Sequence, residues 1–501
     1  MSNQIPQNLK VPLFYAEMDA SQAGSFSQNK RMLLIGQKLP VGTAKSNRAI
    51  IVNQTDQAYQ LFGIGSMLAR MHATVRNTDN FSEIWCIALD DNPAAAAATG
   101  TITVTGQALV TGAISLYIAG QKISVAVIRN DTAFAVAASI SAAINIAYQL
   151  PVTSTASNDT VTLTCKWGGD TGNSISVKDS FLGLIGGESM PQGISLAYSG
   201  NGFLSGGAVN PVIASHAIAS MGDEEYDYVI HPYADTASLN DFQVEYNDVS
   251  GRWAWNRMIY GHCYTARQAS FSDLITFGMT RNDPHHTIVG YEPDCPHPVW
   301  EYAAAYGAAN AIGINADVAR PTQTLPLVGI LPACPGERFV FTERQSLLSY
   351  GIATSIVSSG NVVRIERAIT TYQKNAFGAT DPSYFDSETL HTSAEIIRRL
   401  RSIITTKYPR HKLADDGTRF GAGQAIVTPN IIRGELVGEY ARMELLGLVE
   451  NRSMFQQHLI VQRNQDNPNR LDVLFPPDYI NQLRIFALLN QFRLQYPVAV
   501  Q

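Results

Sequence analysis

The chain has 501 residues, of which 45% are hydrophobic and only 16% charged, with a net charge of −6. That length allows roughly two to four domains, the low charge leaves room for polar-neutral surface that meets other protein, and the acidic balance argues against a nucleic-acid partner. The five cysteines, Cys86, Cys165, Cys263, Cys295 and Cys334, form no C-x-x-C pair or zinc spacing, the first residues lack a signal-peptide pattern, and no run approaches the ~18 apolar residues of a membrane span. Free thiols, a cytoplasmic site of synthesis, no metal or other cofactor and no direct membrane insertion are expected.

Residues 1–28 read as an extended arm. Pro6 and Pro12 exclude a helix. Leu9, Val11, Leu13 and Tyr15 alternate with their neighbours at the period of a strand, and a proline within such a run marks an edge or added strand. The core starts at 29–92, with a short buried strand at 32–35, a helix over 55–73 and a strand over 84–89. At Pro93 the texture changes. Residues 93–207 carry few charges and many Thr, Ser, Gly and Val, and alternating pairs such as Ile102/Val104 and Ile123/Val125 predict half-buried strands. One helix is expected over 132–148, capped by Asp131, and the Gly-rich stretch 183–207 reads as a return linker. This is an inserted, separately folding β-rich domain.

The α/β alternation resumes in 208–385, with strands at 227–230 and 287–289 and an alanine-rich helix at 300–314. The C-terminal core, 386–475, holds a helix whose Ile396, Ile397, Leu400, Ile403 and Ile404 fall at helical spacing, with Thr392 or Ser393 as its cap, and a second helix over 431–448. Leu459/Val461 and Leu471/Val473/Phe475 alternate as strands, and after Pro476 and Pro477 a last apolar strand, Leu483, Ile485, Ala487 and Leu489, forms a C-terminal arm within 476–501. The fold class is a mixed α/β (α+β) core with helices flanking a sheet, one inserted β-rich domain and extended β-strand arms at both ends.

Signals for chemistry are sparse. His285 and His286, near Asp283 and His297, are the best acid–base or metal candidates, and a hydrolase using them is the alternative from the enzyme class. Adjacent histidines on a strand point to opposite faces, so at most one serves a given site, and the spacing matches no recurrent ligand pattern. No G-x-S-x-G is present, and neither Gly200-Asn201-Gly202 nor the run 183–187 leads into a phosphate-loop Lys-Ser/Thr. A non-enzyme is expected. The basic run Arg398, Arg399, Arg401, Lys407, Arg410, His411 and Lys412 reads as a solvated or protein-facing stripe. Arg433, Glu435, Glu439, Arg442 and Glu444 give the second helix a mixed-sign face, suited equally to intrahelical pairs or to docking. The apolar ends either pair within their own chain or complete a sheet in another copy.

Ordered segments across most of the chain resemble the tail sheath proteins of Mu-like contractile phages: IPQNLKVPLFYAEMDASQAG, TRNDPHHTIVG, PVWEYAAAYGA, ARPTQTLPLVGIL, YPRHKLADDGTRFGAGQAIVTP and the long run from GLVENRSMFQQHLIVQ to LLNQFRL. The insert resembles an inserted domain of the same family. The resemblance implies a subunit that stacks as hexameric rings around a tail tube, contracts to drive the tube through a host envelope and meets baseplate and terminator proteins. It implies a virion tail component assembled in the host cytoplasm, or else the sheath of a related injection or secretion system. By it, Leu9, Val11, Leu13 and Tyr15, with Leu483, Ile485, Ala487 and Leu489, are arm residues pairing with neighbouring subunits, and the helix bearing Arg433, Glu435, Glu439, Arg442 and Glu444 faces the tube. No protease serine turn carries over.

Overall fold

A computed structural model describes residues 30–494; Leu9, Val11, Leu13 and Tyr15 lie outside the described residues. The core opens with β1 (Arg31–Gln37), buried after its first residue, then β2 (Ala49–Ile51), α1 (Thr55–Phe62), α2 (Met67–Thr78) and β3 (Glu83–Leu89). The one helix expected over 55–73 is therefore two. Gly63 and Gly65 hold φ of +87° and +79°, a backbone glycine takes without strain. Ser66 restarts the helix, its Oγ accepting the Ala69 amide at 3.2 Å.

The inserted domain comprises β4 (Ala97–Gly106), β5 (Gly112–Ile118), β6 (Gln121–Val127), α3 (Ala133–Ile146), β7 (Val152–Ser157), β8 (Thr160–Gly168), β9 (Val177–Asp179) and β10 (Ile194–Tyr198). These build two sheets, β10-β4-β8-β7 and β6-β5-β9, with α3 packed on strands of both. Two expectations are corrected. The cap of α3 is Thr132, whose Oγ1 accepts from Ala135 at 3.3 Å, because the Asp131 carboxylate is taken by the Ile128 amide at 2.7 Å. The stretch 183–207 is no mere linker, since β10 pairs with β4 from Ile194 to Tyr198.

The chain rejoins the core through α4 (Ala219–Met221), β11 (Tyr228–Ile230), α5 (Thr236–Tyr246), β12 (His262–Gln268), α6 (Phe271–Gly278), β13 (His286–Tyr291), α7 (Val299–Ala316), α8 (Phe341–Ser349), β14 (Thr354–Ser358) and β15 (Val362–Arg367). The central sheet runs β13-β12-β11-β1-β3-β2, parallel except for β2. Strands this continuously apolar need cover on both faces. One cover is α7, whose small residues permit close approach: a Cβ at Gly307 would lie 2.4 Å from Ile230. The C-terminal part adds α9 (Ser387–Lys407), β16 (Lys412–Leu413), β17 (Ile426–Val427), α10 (Pro429–Leu445), α11 (Arg452–His458) and the hairpin β18 (Ile460–Arg463) with β19 (Leu471–Leu474). α9 starts before the expected caps. Thr392 and Ser393 sit inside it, donating back to the Glu388 and Thr389 carbonyls at 2.8 Å each, the mid-helix habit of these residues.

Strand order reverses at β1, which has β3 on one side and β11 on the other. Open α/β sheets bind ligands in the crevice outside such a switch point. Here the insert lies over that crevice, with Gln37 at the end of β1 donating to the Gly168 carbonyl at 2.6 Å.

Candidate functional site

The C-terminal core holds the chain through a stacked aromatic cluster and a series of hydrogen bonds and ion pairs that reach Arg484. Tyr440 on α10 stacks on Phe455 of α11 at 3.8 Å, and Phe475 meets Phe455 edge-on at 4.8 Å. The Tyr440 hydroxyl donates to the Glu450 carbonyl at 2.6 Å and accepts the Asp478 amide at 3.1 Å. Main-chain bonds from Glu450 to Asp478 and from Ile480 to Leu448, at 2.9 and 3.2 Å, continue the seam. Beyond it the Gln482 amide donates to the Ala319 carbonyl at 2.7 Å, and Arg484 forms ion pairs with Asp386 and Glu388, both at 3.2 Å. Asp386 is itself gripped by Arg367 at 2.8 and 2.9 Å, which explains why it does not cap α9.

Past this anchor the segment changes character. Leu483, Ile485, Phe486, Leu488, Leu489, Phe492 and Leu494 are 71–97% exposed, and Ala487 is exposed as well. No described residue from 481 to 494 belongs to a strand. The C-terminal β-strand arm expected from the pattern is thus not a strand within the chain. A strand is completed by hydrogen bonds to a partner segment, and among the described residues none is supplied. The pattern named Leu483, Ile485, Ala487 and Leu489, and missed that the opposite side, with Phe486 and Leu488, is equally apolar. Both faces of this segment are of the kind that strands bury.

The mixed-sign face of α10 is largely spent inside the molecule. Glu435 pairs with Lys407 and accepts from the Tyr408 hydroxyl at 3.1 Å. Glu439 is buried and pairs with Arg442 at 3.1 Å. Arg433 donates to the Gln456 carbonyl at 2.8 Å, and Glu444 accepts the Arg452 amide at 3.2 Å. Exposed on this helix are Asn430, Ile431, Gly434, Gly438, Arg442, Glu444 and Leu445. Within the basic run, Arg398 is neither solvated nor free to dock: it pairs with Glu225 and Asp227 at 2.6 and 2.7 Å. Burial opposes its charge, but those carboxylates outweigh it and hold its pKa above the usual arginine value.

The histidine pair divides as strand geometry requires. His285 bonds through Nε2 to Asp248 at 2.9 Å and lies on Trp253, whereas His286 faces His231. Both are buried, so neither offers a general base to a solvent-borne substrate. His297 lies apart from them, bonded to Glu301 at 2.9 Å. A cavity of about 640 Å³ between the insert and the ends of β11 and β12 is lined by Asp170, Asp235, Arg267 and Phe277 among others, and its lining has no histidine or cysteine. Among the described residues no helix is long and apolar enough to cross a membrane.

Residues 206–371 match the central domain of the phage tail sheath protein, and residues 379–493 match the phage tail sheath C-terminal domain. The chain belongs to the phage tail sheath family. Within that family its kinship is with the Mu-like sheaths. It is 40% identical over 494 residues to the Mu-like prophage FluMu tail sheath protein of Haemophilus influenzae, covering 98% of this chain and 99% of the relative. The sheath tail protein of Desulfitobacterium hafniense shares the fold, with a TM-score of 0.50 at 11% identity over 95% of this chain and 97% of that one. The corresponding protein of Listeria innocua aligns with a TM-score of 0.48 at 12% identity, over 92% and 94% of the two chains. The resemblance carried by the sequence segments is borne out, and the family places the chain in a virion tail.

Proposed function

We propose that this chain is the repeating subunit of a contractile sheath, stacked as hexameric rings around a tail tube, which contracts to drive the tube through a host envelope. The observation that carries this reading is the apolar run 485–489, exposed on both faces directly after the Arg484 ion pairs with Asp386 and Glu388. Added as a strand to a neighbouring copy, Leu483, Ile485, Ala487 and Leu489 gain ladder hydrogen bonds and burial together. The hairpin β18–β19 is a two-stranded sheet and such a sheet is marginal alone, so it is the natural acceptor. Leu9, Val11, Leu13 and Tyr15 form the second arm in this scheme. A main-chain ladder tolerates bending better than a side-chain interface does, so arms tether subunits while core contacts exchange, and contraction draws on the difference between those contacts without nucleotide.

In the same scheme α10 faces the tube with its exposed stripe of Ile431, Gly434, Gly438 and Leu445, and Glu435 and Glu439 stabilise the helix from behind. Baseplate and terminator proteins cap the two ends of the polymer, which assembles in the host cytoplasm. Truncation at residue 480 tests the reading. The shortened protein should remain soluble and folded by circular dichroism yet give no striated hollow cylinders in negative stain; cylinders of normal length from the truncated protein would refute it. A sheath of a related injection or secretion system uses the same subunit chemistry, and neighbouring genes for capsid and DNA packaging distinguish the phage.

A further inference from the structure

Three adjacent parallel strands bring His231, Cys263 and His286 to one face of the central sheet. Cys263 stands directly opposite His286 in the β12–β13 register. Val229 of β11 stands opposite Cys263, and His231, two residues on, shares its face by alternation. Tyr264 points the other way, onto α7 beside Gly307. The roof over the three is α5: the Phe242 ring stacks on His231 at 4.0 Å and meets His286 edge-on at 6.1 Å. All three residues are at most 2% exposed, and their ligand-competent nitrogens and sulfur lie within 4.8 Å of one another.

The elements around Cys263 hold several buried polar atoms without a hydrogen-bond partner. His262 bonds to Thr287 at 2.7 Å and His285 to Asp248 at 2.9 Å. Each leaves its Nδ1 without a hydrogen bond, as His286 leaves its Nε2, whereas at His231 neither ring nitrogen makes one of normal geometry. The hydroxyls of Thr265, on the same face of β12, and of Tyr246 on α5 are likewise buried without a partner. Buried polar side-chain atoms are satisfied in the large majority of cases. A group of five such atoms on the elements enclosing one thiol calls for a ligand.

We propose that His231, Cys263 and His286 bind one zinc-class transition-metal ion, which pins β11, β12 and β13 together beneath α5. Two imidazoles and a thiolate select a borderline-soft ion over calcium or magnesium, which take oxygen ligands. Zinc bonds of about 2.0–2.1 Å to nitrogen and 2.3 Å to sulfur set ligand atoms roughly 3.5 Å apart, a closure of about an ångström that side-chain rotation supplies. Three protein ligands leave one tetrahedral position, and the unpartnered Thr265 hydroxyl, two residues on from Cys263 on the same sheet face, is a candidate for it. A metal takes imidazole in its neutral form and cysteine as the thiolate. Binding therefore replaces the S–H bond with an S–metal bond and releases one proton to solvent, without oxidation or reduction. Since the seat is enclosed, the ion enters as the chain folds.

The test is expression of the full chain in medium supplemented with zinc or with cobalt, followed by metal analysis of the assembled and dispersed protein. About one equivalent per chain is expected, and the cobalt form should show a near-ultraviolet thiolate-to-metal band. Cys263→Ser should abolish that band, while Cys295→Ser, which removes another buried thiol, should keep it. Less than about a tenth of an equivalent in the unaltered protein with either metal overturns the proposal, as does a band that survives Cys263→Ser or disappears with Cys295→Ser. The first of these outcomes needs no variant, so misfolding of a mutant cannot shelter the idea.

Discussion

His72 shows how a single buried side chain links this fold to pH. It lies on α2, fully buried, with Nε2 donating to the Val52 carbonyl at 3.0 Å. Burial, aided by the nearby Arg76 charge and only partly offset by that hydrogen bond, pushes its pKa down to about 4. Above about pH 6.5 folded and unfolded chains both hold it neutral. As the pH falls through 6.5, the unfolded chain takes a proton that the folded chain refuses until about pH 4, so stability is lost across that window. His391, lowered by burial and then by Lys30 and Arg398, acts in the same direction. Between pH 7 and pH 5 His72 alone should cost the dispersed subunit about 2 kcal/mol. His72→Gln, which keeps a donor for Val52, should lose that much less over the same interval in urea titrations; an unchanged pH slope would contradict the assignment. None of this was legible from the chain, where His72 sits in a helical run with nothing to mark its depth. The pair His285 and His286 was conspicuous because adjacency is visible in a sequence, whereas His231 and Cys263 become neighbours only through the order of parallel strands.

Elements read from periodicity survive where one face alone decides them. The strands of the insert fall close to their expected places because alternation is local, and alanine content and the Pro429 start mark the helices over 299–316 and 429–445. What tertiary contacts decide was illegible. The break between α1 and α2 hangs on two glycines at positive φ, and α9 begins at Ser387 because Asp386 is engaged by Arg367. The join between insert and core is also hidden in sequence. Trp167 of β8 packs edge-on against Trp300 of α7 at 5.0 Å, and the Ser176 hydroxyl donates to the Pro296 carbonyl at 2.7 Å. Arg70 on α2 pairs with Glu301 and donates to the Gln149 and Ala119 carbonyls at 2.8 and 3.2 Å. Although its sequence texture points to separate folding, contacts this dense and buried predict that the insert unfolds together with the core. Scanning calorimetry of the dispersed subunit should show a single transition. Trp167→Ala, a deletion expected to cost about 3–5 kcal/mol, should lower the midpoint and split off a separate transition for the insert. Two transitions already present in the unaltered protein would show that the join is weaker than its contacts suggest.

At the scale of the whole molecule the contrast is between a densely packed body and a short exposed apolar run, 485–489. Free subunits with exposed Leu483, Ile485, Phe486, Leu488 and Leu489 carry an association hazard of the kind proteins usually cover. The apolar run, 485–489, follows directly on the Arg484 ion pairs with Asp386 and Glu388. Hydrogen exchange reads this directly, because amides outside a ladder exchange rapidly and amides within one do not. In dispersed subunits the amides of 485–494 should exchange fully within seconds, while those of 448–450 and 478–480, tied by the Leu448 and Glu450 bonds, exchange slowly. In assembled cylinders an alternating set within 485–494 should slow by several orders of magnitude, since each ladder bond must open before its amide exchanges. Arg484→Ala should leave the body folded but let protection retreat toward Tyr479, because Asp386 and Glu388 no longer hold the root of the arm. If 485–494 exchanges as fast in cylinders as in free subunits, the segment is not an inter-subunit strand, and the polymer must be held by the faces of the core instead.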